Sequence, residues 1–358
     1  MKSTDKKLCY YITMSCYIFL SFAVFTPVFN SKNITVSLLF CLITSLLTVT
    51  GLSFLFGTDL SDKEKSAFPT EKNGHGLLNR ALSVTACASG LFSVLLIMTQ
   101  VIKDTCYIAG KGVSKEYYLA FSTALLAVSL YLCFNNEKGI YRFCITASVP
   151  VLIFVISALL PLFTVKNIVF DLFETAGQSI TSNALKGCYY GLFLSFDISV
   201  FLYCFRECTG FSKASIKLGT SSVITAFVLW CICIASANLI FGKNLIFLFS
   251  DPLYALTKAF DGFDVTETLS AIRIFAFIIK SSVYLYSCAL IIKNAFFKKA
   301  NSSLKKILCT IYLIIPTVYL PFLITSSDFG KLQHLVYPSV IIMSALFTLN
   351  GILQKNKS

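Results

Sequence analysis

The chain has 358 residues, 56% of them hydrophobic and only 13% charged, with a mean hydropathy of +0.78. That composition excludes a soluble domain of this length and points to an integral membrane protein. The net charge of +13 does not indicate nucleic acid, because the basic residues lie in short segments between apolar runs, where membrane topology puts them.

Ten apolar runs, each near the roughly 20 residues a helix needs to cross a bilayer, fall at about 8–29, 34–57, 79–102, 117–134, 142–163, 186–205, 216–241, 268–292, 304–325 and 332–353. The expected fold is therefore an all-α integral membrane protein, one membrane domain over residues 1–358. Lys2, Lys6 and Lys7 precede span 1 and resemble the start of a signal peptide. The run that follows is too long for one and more spans come after it, so an uncleaved first helix is expected. With the N-terminus inside, the inner segments hold 19 of the 30 basic residues and the outer segments 10, counting Arg273 among the outer ones. Lys280 lies inside a span. Both termini are expected on the cytoplasmic side.

Pro27 stands near the end of span 1, Pro150 and Pro161 bracket span 5, Pro316 and Pro321 interrupt span 9, and Pro338 comes early in span 10. Kinks are the ordinary meaning of such prolines, tolerated where neighbours satisfy the freed carbonyls. Residues 58–78 are polar and charged and read as a solvated inner loop.

Residues 186–207, KGCYYGLFLSFDISVFLYCFRE, carry one carboxylate, Asp197, near the middle of span 6. A charge at the bilayer centre costs about 2.5–3.5 kcal/mol on insertion scales, so an acid there points to function. Gly187 and Gly191 stand four apart, the small-xxx-small spacing of closely packed membrane helices. Gly191 is also a position where span 6 can unwind.

The outer connection 242–267 contains DPLYALTKAF. Asp251 suits a helix cap and Pro252 its first turn, and Leu253, Leu256 and Phe260 follow on one face. A short amphipathic helix at the outer surface is expected, either simply interfacial or a lid over an outward cavity.

Span 8 carries the second buried charge. Lys280 lies about 12 residues from either end, or ~18 Å at ~1.5 Å per residue, too deep to snorkel. Phe277, Lys280, Tyr284 and Ser287 share one helix face. The plainer alternative is a structural lysine satisfied by backbone carbonyls.

Fourteen cysteines are spread through the apolar runs without a C-x-x-C pair, and the two histidines, His75 and His334, fall in loops or helix ends. That pattern supports no zinc site and no disulfide framework. Cysteine here reads as a small buried apolar residue. No cofactor is expected.

Ten spans with both termini inside suggest five plus five, an inverted repeat in which the first helix of each half is often broken at the midplane. Spans 1 and 6 are those helices. DPLYALTKAF followed by IKSSVYLYSCAL, NEKGIYRFCITASVPVLIF with its Gly139 and Arg142, and SFDISVFLYCF with Phe196 before Asp197 together resemble the spore-germination permease family. These are the B subunits of bacterial nutrient germinant receptors, within the amino acid–polyamine–organocation transporter superfamily. Span 1 departs from the family pattern, because Ser21-Phe22-Ala23-Val24-Phe25-Thr26-Pro27 has no Gly before its Pro.

The resemblance implies a non-enzymatic nutrient sensor in the bacterial cytoplasmic membrane, the inner membrane of a spore. An amino-acid-like ligand would bind in a transporter-like midplane pocket. That pocket would draw on Ser21, Ala23 and Thr26 of span 1; Gly191, Ser195, Phe196 and Asp197 of span 6; and Phe277, Lys280, Ser281 and Tyr284 of span 8. Partners would be the lipid bilayer, a larger A subunit and a C-subunit lipoprotein, and no nucleic acid. A proton-coupled amino-acid transporter uses the same pocket, with Asp197 loading the proton and Lys280 tuning it. No metal cluster, nucleophile–base pair or phosphate-binding glycine loop speaks for an enzyme.

Overall fold

The computed structural model describes residues 3–25, 34–57, 115–159, 180–204, 213–246 and 266–296, with single helical positions scattered between 81 and 97 and at 310, 311, 342 and 345. Among the described residues the protein is all-helical. Its helices are α1 (Ser3–Phe25), α2 (Ile34–Gly57), α3 (Lys115–Phe134), α4 (Asn136–Leu159), α5 (Ile180–Cys204), α6 (Lys213–Ile246) and α7 (Thr266–Phe296). Apolar runs take this form because a helix satisfies its own backbone polar groups without water.

These helices correspond to spans 1, 2, 4, 5, 6, 7 and 8, and several run beyond the apolar limits. α4 starts at Asn136, α5 at Ile180, and α6 extends from Lys213 to Ile246. Backbone hydrogen bonding does not stop where the apolar stretch does, so polar flanks continue the helix. Pro150 lies inside α4 and not at its edge. Spans 3, 9 and 10 fall mostly outside the described residues, as do the loop at 58–78 and the amphipathic segment at 251–260.

Among the described residues, three helical stretches are long and apolar enough to cross a membrane: Lys138–Leu159, Leu218–Phe241 and Thr268–Ile292. Shorter apolar stretches cover Leu8–Ser21, Ser37–Thr48 and Ala120–Phe134. Large apolar side chains also point outward in helical stripes: Leu39, Ile43 and Leu47 on α2, and Val149, Ile153 and Ile156 on α4. A helix apolar on both its inner and outer faces belongs in lipid.

α7 is the centre of the bundle. Every residue from Ala276 to Ala289 is buried, and α1, α3, α4 and α5 all pack on it. Arg273 is part of this buried helix at 2% exposure. It therefore lies within the packed helix and not in a connection between spans, where the sequence count puts it.

The largest helix contact is α2 on α5, and the glycine spacing explains it. A Cβ on Gly191 would stand 2.6 Å from the Cys41 carbonyl oxygen and 2.7 Å from the Thr44 Cβ. Gly187 meets the Ser37 carbonyl and Phe40 in the same way. Ser37 Oγ donates to the Asn183 carbonyl at 3.0 Å, and Ser45 Oγ to that of Gly191 at 3.4 Å. Contacts on the two helices advance together along the chain, so α2 and α5 run parallel.

The break expected in span 6 is absent. α5 is continuous from Ile180 to Cys204. Gly191 serves the seam with α2, and the acid on α5 receives its donors from side chains, so no opened turn is required. α1 is likewise helical through Phe25; Thr26 and Pro27 lie outside the described residues.

Candidate functional site

The site is built from two i, i+4 pairs that converge on one carboxylate. Residues four apart on a helix lie one above the other on the same face. α1 presents Tyr17 and Ser21 in this way, and α7 presents Lys280 and Tyr284. Between them stands Asp197 on α5. All five residues are buried at 0% exposure.

Asp197 Oδ1 accepts the hydroxyl of Tyr17 at 2.7 Å and that of Tyr284 at 2.9 Å. Its Oδ2 accepts the hydroxyl of Ser21 at 2.6 Å and the ammonium of Lys280 in a direct ion pair. Lys280 Nζ also donates to Ser21 Oγ at 2.7 Å. The ammonium lies 4.3 Å from the centroid of the Tyr17 ring, within cation–π range. The Tyr17 ring in turn packs at 4.5 Å on Phe201, one helical turn beyond Asp197 on α5.

A carboxylate offers about four lone-pair positions, and here four donors fill them. This is the arrangement that makes a buried charge tolerable: opposite charge in contact, with the remaining lone pairs satisfied. The two charges that the sequence leaves exposed at midspan in separate helices are each other's counterion. The alternative of a lysine satisfied only by backbone carbonyls is set aside.

The order of the pairs follows from helix direction. The phenol comes first along α1 and second along α7, so both phenols meet on Oδ1 only if the helices run antiparallel. Phe277, Lys280, Tyr284 and Ser287 of the expected stripe are all fully buried, as is every residue of α7 from Ala276 to Ala289.

Not every expected site residue joins this cluster. Ser281 Oγ is 2.6 Å from Ser129 Oγ on α3 and donates back to the Phe277 carbonyl at 2.8 Å. Ser282 donates to the Ser129 carbonyl at 3.3 Å, and Cys133 Sγ to that of Ser282 at 3.4 Å. Ser281 therefore belongs to a polar seam between α3 and α7, because one residue after Lys280 is about 100° around the helix. Gly191 belongs to the α2 seam. Phe277 is buried one turn before Lys280. Ser195 and Phe196 precede Asp197 on α5, and Ala23 lies on α1; their side chains fall outside the described ones, as does all of Thr26.

Tyr17 is the site residue that the sequence reading missed. Its signal was position: it lies four residues before Ser21, on a stripe with Tyr10 and Met14 that is buried throughout. In a run containing Tyr10, Tyr11 and Tyr17, nothing local marks which phenol meets an acid 180 residues away. The chain matches no protein-family model and no curated protein.

Proposed function

We propose that the protein is a membrane-embedded sensor subunit for a small amino-acid-like nutrient, of the kind found in spore germinant receptors. The observation that carries this reading is the Asp197–Lys280 pair. It is a fully buried acid and base, the acid on α5 held by donors from α1 and α7, at the junction of the three helices that the transporter-like reading puts around the ligand. Charges kept at such cost inside a membrane bundle mark ligand or ion pathways. A zwitterion is matched to this pair, its ammonium to the acid and its carboxylate to the base. A ligand that prefers the separated charges shifts the bundle toward the state in which they are apart.

The proposed architecture is ten spans in two inverted halves, with both termini cytoplasmic. Two features support it. Exchange of the halves relates span 1 to span 6 and span 2 to span 7, so the packing of α1 on α6 has its counterpart in the packing of α5 on α2. Parallel α2 and α5 also need an odd number of crossings between them. α3 and α4 supply two, and the helical positions between 81 and 97 lie where the third is needed. In this reading the ligand signal passes to an A subunit and a lipoprotein C subunit, in a spore's inner membrane.

A second reading, a proton-coupled amino-acid transporter, draws on the same buried acid and base. Uptake of labelled amino acids, measured beside a germination assay in the deletion strain, separates the two. Loss of nutrient-triggered germination without loss of uptake supports the sensor. Loss of uptake with normal germination defeats it.

A further inference from the structure

The surroundings of Lys280 Nζ form an ammonium-recognition cup with an occupant already in it. The cup consists of a carboxylate oxygen of Asp197, the Ser21 hydroxyl oxygen and the face of the Tyr17 ring. Anion, neutral acceptor and aromatic face are the three elements that bind ammonium groups in water-free pockets. Its parts come from α1 and α5, and the Tyr17 and Tyr284 hydroxyls hold the acid in place from the other oxygen. Only the ammonium is carried on a flexible four-carbon stem. If the stem moves, the cup keeps its carboxylate, its hydroxyls and its ring.

We propose that Lys280 is a built-in occupant of an ammonium site and that the external ligand brings a primary ammonium group which replaces it. This rests on the sensor reading above and gives that site its chemistry. The ligand's positive end competes with Lys280, and what the displaced lysine then meets is the ligand's negative end. Amines lacking a carboxylate still enter the cup but leave the displaced lysine without a partner. They therefore bind more weakly than amino acids.

The experiment uses the full chain purified in detergent. Lys280→Ala removes the three outer carbons and the nitrogen of the side chain, which are the atoms of n-propylammonium. Yield of monodisperse protein and thermal stability are measured with n-propylammonium, with n-propanol and with neither. The expected result is recovery or stabilisation by n-propylammonium alone, abolished in the Lys280→Ala, Asp197→Asn double variant. Equal rescue by n-propanol, or no rescue at all, overturns the cup. A variant that does not fold unaided is still informative, since folding is then the quantity rescued.

A purely structural ion pair would show the same rescue, so the wild type carries the second arm. Titration with n-propylammonium, followed through the fluorescence of Trp230, the chain's one tryptophan, should saturate. The half-point is expected to be ten-fold or more above that of Lys280→Ala. Absence of saturable wild-type binding sinks the ligand-displacement proposal and leaves a structural pair. These readouts involve no germination or uptake. Rescue and wild-type binding without any nutrient response would remove the sensor function and keep the cup, and the reverse pattern would do the opposite.

Discussion

Tyr17 and Tyr284 donate their hydroxyls to the same oxygen of Asp197, at 2.7 and 2.9 Å, from two antiparallel helices. Ser21 and Lys280, one turn away on the same two helices, take the other oxygen. The carboxylate is thus divided: neutral phenols on one side, the ammonium and its supporting hydroxyl on the other.

That division makes the charge pair separable by mutation. Asp197→Asn and Lys280→Met should each lower stability by about 3–5 kcal/mol, because each strands a buried charge. The double neutral variant should recover much of this loss, since the pair is in direct contact. Thermal unfolding of the purified protein in detergent reads the cycle, and a double variant no better than the worse single would contradict a direct pair.

The phenols should behave differently. Tyr17→Phe and Tyr284→Phe each remove one donor from Oδ1 and should cost about 1.5–3 kcal/mol apiece, the range for a hydrogen bond to a charged group. Together they leave Oδ1 bare, and residues sharing one partner do not add. A double-variant loss equal to the sum of the singles would mean that the two hydroxyls act independently.

Glycine substitutions should divide by position. Gly191→Ala and Gly187→Ala press a methyl into the α2 backbone and should destabilise by about 1–3 kcal/mol. Gly219→Ala, whose new Cβ would meet only the Met14 Cε at 3.6 Å, should be neutral or stabilise by up to about 1 kcal/mol through helix propensity. Melting temperatures of the three variants test the contrast directly.

Ser281→Ala should be mild, below about 1 kcal/mol. The Ser129 hydroxyl left behind keeps its own bond to the Leu125 carbonyl at 3.0 Å, so no buried donor is orphaned. Amino-acid dose–response should also be unchanged, because Ser281 faces α3 and not the acid. A shifted response at normal stability would return Ser281 to the ligand site.

The two charges of the site were legible because an acid or a lysine at the middle of an apolar run is costly wherever it occurs. Asp197 and Lys280 could be singled out without knowing any contact, and the stripe Phe277–Lys280–Tyr284 followed from helical period alone. The glycine spacing at 187 and 191 likewise showed that a neighbour comes close, though not that the neighbour is α2. Tyr17 was passed over, and Ser281 was grouped with the charges although it meets Ser129 on α3, for one physical reason. A hydroxyl is compatible with a core, a seam or a site, and local sequence does not distinguish them.

What the sequence determined by itself was the class of environment. Hydropathy and helical period depend only on nearest neighbours along the chain, so the helices, their apolar character and the anomalous charges could be read directly. Partnership was decided by the tertiary structure. Asp197 meets Tyr17 and Lys280 across separations of 180 and 83 residues, and such contacts depend on helix order, direction and rotation, which no local pattern records. The continuous α5 was decided in the same way. Donors arriving from α1 and α7 made an opened turn unnecessary, and those donors exist only once the three helices are packed.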